Sequence, residues 1–255
     1  MKTPLVSIVT PAFNSAKFIA ETIQSVQRQT YENWEMIIID DFSTDETISI
    51  INSFSADSRV KLFQLEKNSG AGIARQKAVD LAQGNFIAFL DADDLWFPEK
   101  LSKQINFMQI NNLPFTFSYY NCINEEGKSL HKNVKAPQTL TFRQLFWRNH
   151  IGNLTGIYSV DFFGKISISH FRKRQDWMMW LTILKKIKTA QPVPEVLASY
   201  RLRESSVSSS KISLLKHNYN VYRRFHKLSA VESVFCMMVF LYIHFFLKAK
   251  YIEKE

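Results

Sequence analysis

Four short apolar runs, separated by stretches of helical periodicity, constrain this chain more than any other feature. Residues 5–10, 36–39, 60–65 and 86–90 are β-rich and apolar. Between the first two, Phe18, Ile19, Thr22, Ile23 and Val26 recur at helical spacing. Between the second and third, Ser43-Thr44-Asp45-Glu46 opens a helix that carries Ile48, Ile50, Ile51 and Phe54. Residues 71–81 supply a third helix. This β-α-β-α-β-α-β order predicts an α/β fold, with a parallel sheet and helices on both faces. In such sheets ligands bind beyond the carboxyl ends of the strands.

That rule organises the polar residues. Thr10, Pro11 and Asn14 follow the first strand, and Asp40 and Asp41 end the second. Asn68 and Gly70 follow the third, and Asp91 and Asp93 the fourth. Four strand ends thus deliver polar groups to one edge of the sheet. The run Phe86-Ile87-Ala88-Phe89-Leu90-Asp91-Ala92-Asp93-Asp94 is the sharpest case, a buried strand that meets three carboxylates within four positions. Like charges so close repel, and each costs several kcal/mol to desolvate. A positive group is expected among them. A divalent metal on oxygen ligands is the natural candidate, and Mg²⁺ or Mn²⁺ commonly brings a substrate phosphate with it. The plainer alternative is a solvated acidic turn that leads into a helix starting near Pro98-Glu99-Lys100.

Charge divides the chain. Residues 1–100 hold 9 Lys and Arg against 14 Asp and Glu, whereas residues 101–255 hold 23 against 9. The basic half suits an anionic partner such as a phosphate or a lipid headgroup. No helix-turn-helix, zinc-finger or RNA-binding signature accompanies it, so nucleic acid is not expected. Cys122 and Cys236 form neither a disulfide framework nor a metal-ligand spacing, as suits a reducing cytoplasm. Met1-Lys2-Thr3-Pro4 runs straight into the first strand without a signal-peptide pattern.

The middle is less regular. Residues 115–120 and 154–160 read as strands and residues 124–128 as a turn. Arg172-Lys173-Arg174-Gln175-Asp176 precedes a helix with Trp177, Trp180, Leu181 and Leu184 on its apolar side. Trp34 and Trp96 are expected as core or helix-cap hydrophobes, and Trp177 and Trp180 in the core, although these two could also stack on a ligand. Residues 205–210, five serines around Val207, read as a mobile loop able to order over a ligand. Lys216, Arg223, Arg224 and Lys227 then lead into an apolar run over residues 231–247. Its uncharged part falls short of the roughly 20 residues that a spanning helix needs. It is read as a helix on a membrane surface, a packed or dimerising helix, or a true span.

These residues resemble the family 2 glycosyltransferases, which have the GT-A fold. Val6-Ser7-Ile8-Val9-Thr10-Pro11-Ala12-Phe13-Asn14 looks like their first strand and loop. Ile38-Ile39-Asp40-Asp41-Phe42-Ser43-Thr44-Asp45 looks like their V-D-D-x-S-x-D element. Asn68-Ser69-Gly70 with Ala74-Arg75 resembles N-x-G-x-x-x-A-R, and Asp91-Ala92-Asp93-Asp94 matches D-x-D-D. The likeness continues more weakly to Gln175-Asp176 and Tyr200-Arg201-Leu202. Across most of the chain it looks most like the transferases that build bacterial teichuronic acid or capsule.

The resemblance implies a GT-A, Rossmann-like and mostly parallel sheet flanked by helices over residues 1–204, with a helical, basic and apolar extension over 205–255. Within the first part, residues 1–98 would bind a nucleotide-sugar, most often a UDP-sugar, and residues 99–204 the acceptor. Thr10 and Pro11 would lie beside the base and Asp41 would accept a hydrogen bond from it. Asn68 and Gly70 would line the donor site. Asp93 would be the principal ligand of Mn²⁺ or Mg²⁺, with Asp91 near the ribose and metal. Arg75 would either assist with the diphosphate or lie on a helix surface. Arg201 and Arg203, just after an expected strand, would either reach the diphosphate or an anionic acceptor or have a simple surface role. Asp176 matches the family's catalytic base, although an aspartate before an apolar helix is equally a plain N-cap. Gln175 stands where the family more often has glutamate. The implied activity is inverting transfer of a sugar to a hydroxyl of a lipid-linked glycan, at the inner face of the cytoplasmic membrane. Two other functions compete: a sugar-phosphate nucleotidyltransferase, whose Gly-rich loop is missing at Pro11-Ala12-Phe13-Asn14, and a non-catalytic binding module of the same fold.

Overall fold

The computed structural model describes residues 3–171, 173–203, 211–246 and 251–254. The first half alternates as the periodicity predicts: β1 (Val6–Ala12), α1 (Ile19–Gln27), β2 (Trp34–Asp40), α2 (Thr47–Asn52), β3 (Val60–Gln64), α3 (Ala71–Leu81) and β4 (Phe86–Phe89). β4, β1, β2 and β3 lie side by side in that order, all parallel. β2 is buried along its whole length, because both of its faces are covered. Ile37 and Ile39 meet α3 through Ala74, Ala78 and Val79, while Met36 and Ile38 meet α1 through Ile19, Ile23 and Val26. Alternate residues of a strand point to opposite faces, so this uninterrupted apolar run feeds two cores.

The second half continues the sheet with mixed directions. It comprises β5 (Leu95–Trp96), α4 (Lys100–Ile110), β6 (Phe115–Ile123), β7 (Ser129–Val134), β8 (Leu140–Thr141), α5 (Phe142–Trp147), β9 (Ile157–Ser159), α6 (Val160–Phe163), α7 (Gln175–Ile187) and β10 (Thr189–Arg201). β9 lies antiparallel between β4 and β6, and β7 pairs antiparallel with β6 across the turn at Gly127. The strand expected over residues 154–160 is shorter than predicted. Asn153–Thr155 is a 3-10 turn, and α6 begins at Val160. Gly156 joins that turn to β9 where no side chain fits, since a Cβ there would lie 2.5 Å from the Trp180 ring. β10 is the longest strand, parallel to β6, with two register shifts around residues 193–198. Trp34, Trp96, Trp177 and Trp180 are all buried, and indole N–H groups of Trp96 and Trp177 donate to Leu154 O and Leu145 O.

The C-terminal part contains α8 (Lys211–Asn220), a π-helical turn (Val221–Phe225), α9 (Ala230–Phe246) and β11 (Ile252–Lys254), which pairs with β7. α9 packs on the domain through Ser233, Cys236 and Phe240, with Phe240 against Trp177. No described helix is long and apolar enough to cross a membrane. The expected serine loop at 205–210 lies outside the described residues.

Two half-buried histidines are held neutral. Burial, with help from Arg148, pushes His150 down to about 4. Burial, with help from Lys185, does the same to His226. An unfolded histidine titrates near 6.5, so the unfolded chain binds more protons between about pH 6.5 and 4. Stability is present above that window and falls as pH drops through it. Thermal melts from pH 7.5 to 4.5 are expected to show Tm falling with pH, with a shallower fall in His226→Phe. An unchanged slope in that variant would contradict the assignment.

Candidate active site

The carboxyl ends of β1, β2 and β4 form the floor of the site. Thr10 is buried there and its Oγ1 has no partner, while Pro11 beside it is half-buried. At the end of β2, Asp40 accepts from Ser43 N through Oδ2, and its Oδ1 is buried without a partner. Asp41 accepts from Ser69 N and Gly70 N, one on each oxygen, both at 2.7 Å. A carboxylate at the tip of one strand thereby fixes the loop that follows the next. Gly70 adopts φ 90°, a conformation that glycine reaches without strain. Asn68 lies exposed at the start of this loop.

α3 springs from Gly70 and carries Arg75 into the centre of the site. Arg75 Nη2 donates to Asp91 Oδ1 at 2.6 Å, and Nη1 donates to Gln175 Oε1 at 2.5 Å. The surface alternative for Arg75 is set aside, since its side chain is only 15% exposed. Burial opposes the charged guanidinium, but the carboxylates of Asp91, Asp176 and Asp93 outweigh it and raise its pKa. Gln175 Nε2 in turn donates to Phe171 O at 2.5 Å. Gly72 makes room for this: any Cβ there would press into Gln175 and sit 3.0 Å from Ser169 O.

The three carboxylates after β4 have different surroundings. Asp91 accepts from Arg75 and from Asn153 Nδ2 at 3.1 Å, both on Oδ1. Asp93 Oδ2 lies 2.9 Å from Arg203 Nε, an ion pair without hydrogen-bond alignment. Burial and the Asp91 charge raise the Asp93 carboxyl, and Arg203 opposes them. Asp94 is fully buried and accepts from Arg201 N at 2.9 Å. Burial, then the charges of Asp93 and Asp91, push its carboxyl well up. The positive charge expected among these residues is present as Arg75 and Arg203. Arg201 departs from both alternatives drawn from the sequence. Its side chain is fully buried and donates to Asp93 O, Glu125 O and Glu21 Oε2, which locks the end of β10 under the acidic turn.

At the start of α7, Arg174 holds the N-cap position in a left-handed conformation without a side-chain cap. Asp176 therefore sits inside the first helical turn, and the N-cap alternative for it does not hold. The helix N-terminus favours its negative charge, and its Oδ2 accepts from Asn149 Nδ2 at 2.9 Å. Asn149 and Asn153 escaped the sequence analysis, because residues 148–153 carry no periodic or motif signal.

Among the described residues no three His, Cys, Asp or Glu side chains converge as a metal cluster. The donor set nonetheless fits Mg²⁺ or Mn²⁺. Both are hard ions that take one or two carboxylates and complete their shell with water and substrate phosphates. Asp91 keeps Oδ2 outside its two bonds to Arg75 and Asn153, and Asp93 faces it through like-charge repulsion.

Residues 7–166 match the model of Glycosyl transferase family 2. The chain belongs to that family. It is 40% identical over 236 residues to TuaG of Bacillus subtilis (strain 168), a protein named for teichuronic acid biosynthesis, covering 92% of this chain and 94% of TuaG. It is 39% identical over 218 residues to the Escherichia coli UDP-Glc:alpha-D-GlcNAc-diphosphoundecaprenol beta-1,3-glucosyltransferase WfgD, covering 85% of each. S. aureus TarS 1-349, solved in complex with UDP-GlcNAc, shares the fold with a TM-score of 0.72 at 22% identity, covering 94% of this chain and 73% of that one. The glycosyltransferase therefore has the GT-A-type architecture that the family resemblance implied. The family match ends before α7, so Asp176 rests on its geometry and on the weaker likeness of Gln175-Asp176.

Proposed function

We propose that this glycosyltransferase moves a sugar from a UDP-sugar to a hydroxyl of a lipid-linked glycan, with inversion and with help from Mn²⁺ or Mg²⁺. The observation that carries the reading is the Arg75 bridge. One guanidinium binds Asp91 of the acidic turn and Gln175 beside Asp176. The donor-side carboxylates and the candidate base are therefore joined by one hydrogen-bonded bridge.

The nucleotide would lie over the ends of β1 and β2. Thr10, with its unpartnered Oγ1, and Pro11 flank the base. Each Asp41 oxygen retains a lone pair beyond its bond to the Ser69–Gly70 backbone, so the carboxylate can take a nucleobase N–H while holding the loop that carries Asn68 and Gly70. Asp93 and Asp91 would hold the cation, which neutralises the charge growing on the diphosphate as the glycosidic bond breaks. Arg203, paired with Asp93, stands where it can follow that charge. Asp176 would take the acceptor proton as the acceptor oxygen bonds to the anomeric carbon. The carbon–phosphate oxygen bond breaks on the opposite face, and its electron pair leaves with UDP. A binding module without activity needs no carboxylate at position 176, and a nucleotidyltransferase would need the Gly-rich loop that Pro11-Ala12-Phe13-Asn14 replaces.

Two relatives named for envelope polysaccharides, one acting on a diphosphoundecaprenol substrate, favour a lipid-linked acceptor. α9 supplies a surface for that setting. Val231, Val234, Phe235, Met238, Tyr242 and Phe246 are exposed at helical spacing, opposite the face that packs on Trp177. Arg223, Arg224 and Lys227 are exposed on the preceding turn. An apolar stripe beside a basic rim suits an anionic bilayer surface. The reading places a catalytic domain over residues 1–204 and a membrane-docking extension over 205–255, at the inner face of the cytoplasmic membrane.

Two outcomes test these points. Calorimetry is expected to show UDP binding that strengthens at least tenfold with Mn²⁺, and Asp93→Ala should lose that gain along with UDP release from a UDP-sugar panel. Equal UDP binding in EDTA, with normal turnover by Asp93→Ala, would remove the metal. Full-length protein should float with vesicles containing anionic phospholipid, and Phe235→Asp/Met238→Asp should not, while its melting temperature stays unchanged. Equal flotation of both proteins would remove the α9 surface.

A further inference from the structure

We infer that Asn149 is the positioning residue for Asp176, and that it makes Asp176 Oδ1 the oxygen that receives the acceptor proton. The inference rests on the reading of Asp176 as the base.

The orientation of the Asn149 amide is fixed from both ends. Its Oδ1 accepts from Ile151 N at 3.1 Å. Its Nδ2 therefore faces the other way and donates to Asp176 Oδ2 at 2.9 Å. The mount is rigid on each side. Leu145 and Ile151, which flank Asn149 in sequence, are both buried. Leu145 O accepts the Trp177 indole N–H at 2.7 Å, one residue beyond Asp176. The end of α5 and the start of α7 are thus joined twice, by a backbone carbonyl to Trp177 and by the Asn149 amide to Asp176.

The consequence is asymmetric. A carboxylate rotates about its last bond, and a single donor on Oδ2 stops that rotation. Among the described residues, Oδ1 of Asp176 accepts no hydrogen bond, so it keeps its lone pairs for a substrate hydroxyl. Arg75 and Arg174 both feel the Asp176 charge, but neither bonds to the carboxylate. Nothing else among the described hydrogen bonds distinguishes the two oxygens. When the acceptor oxygen attacks the anomeric carbon, its proton passes to Oδ1 and the leaving diphosphate carries away the electron pair of the broken bond. A general base must lie within hydrogen-bond reach of that proton, and a misplacement of about 1 Å costs on the order of 10²-fold in rate.

The test compares Asn149→Ala, Asn149→Asp, Asp176→Asn and the double variant Asn149→Ala/Asp176→Asn. Each is assayed as full-length protein with the most active donor of the UDP-sugar panel, together with UDP affinity by calorimetry and Tm. Asn149→Ala should lose about 10- to 100-fold in kcat, the range set by one hydrogen bond to a charged group. Its UDP affinity should stay within about twofold. Asn149→Asp keeps the oxygen that caps Ile151 N but replaces the donor with a second carboxylate, so its kcat should fall at least as far with Tm preserved. In the Asp176→Asn background the Ala substitution should cost nothing further, because the base it positions is gone. If Asn149 serves only the loop, Asn149→Asp will turn over normally, or the double variant will fall by the product of the single losses. Either result overturns the inference. A normal kcat in Asp176→Asn would overturn the assignment of the base instead, which separates the two failures.

Discussion

The site depends on one guanidinium. Arg75 lies among the partly buried carboxylates of Asp91, Asp93 and Asp176, which would repel one another without a cation. Its planar fork bonds Asp91 with one nitrogen and Gln175 with the other. A lysine would offer a point charge without that fixed geometry. The arrangement also constrains the backbone: α3 must approach α7 closely, and Gly72 allows it because any side chain there would displace Gln175. Gln175 in place of the family's more usual glutamate gives Arg75 a neutral acceptor, and the amide nitrogen ties the start of α7 to Phe171 O.

The C-terminal helices support the same region from behind. Asn218 of α8 accepts from Arg174 Nε at 2.6 Å and so holds the residue that begins α7. Tyr222 packs edge-on against Trp177 and donates to Phe146 O, and Phe240 of α9 covers the other part of that indole. The extension therefore has two faces with two duties. One face completes the core around the helix that carries Asp176, and the other presents its apolar stripe outward. Cutting it away would uncover Trp177, so point changes on the outer stripe separate the proposed membrane docking from folding.

The first half of the fold was legible in the sequence because its signals are local. The apolar run of β2 announces a strand covered on both faces, and each polar strand end announces the ligand edge. Asp41 shows where that legibility stops. Its place at the edge follows from the sequence, whereas its bonds to Ser69 N and Gly70 N follow from a loop 28 residues away. Pro192 and Pro194 interrupt the regular ladder of β10, and the register shifts there let its pairing with β6 continue. Arg201 could not be placed, because its role depends on the acidic turn, Glu125 and Glu21 converging from three parts of the chain. Asn149 and Asn153 carry no periodic signal and gain meaning only when residues 148–156 fold across the site.

The central claim is that a single bridge sets the donor carboxylates and the base in register. Arg75→Lys tests it most directly, since it keeps the charge and removes the fork. UDP affinity in Mn²⁺ and kcat should be measured on the same folded protein. The account predicts a kcat lower by about 10²-fold, more than any loss of UDP affinity, with Tm close to that of the unaltered protein. A variant that turns over normally would contradict it.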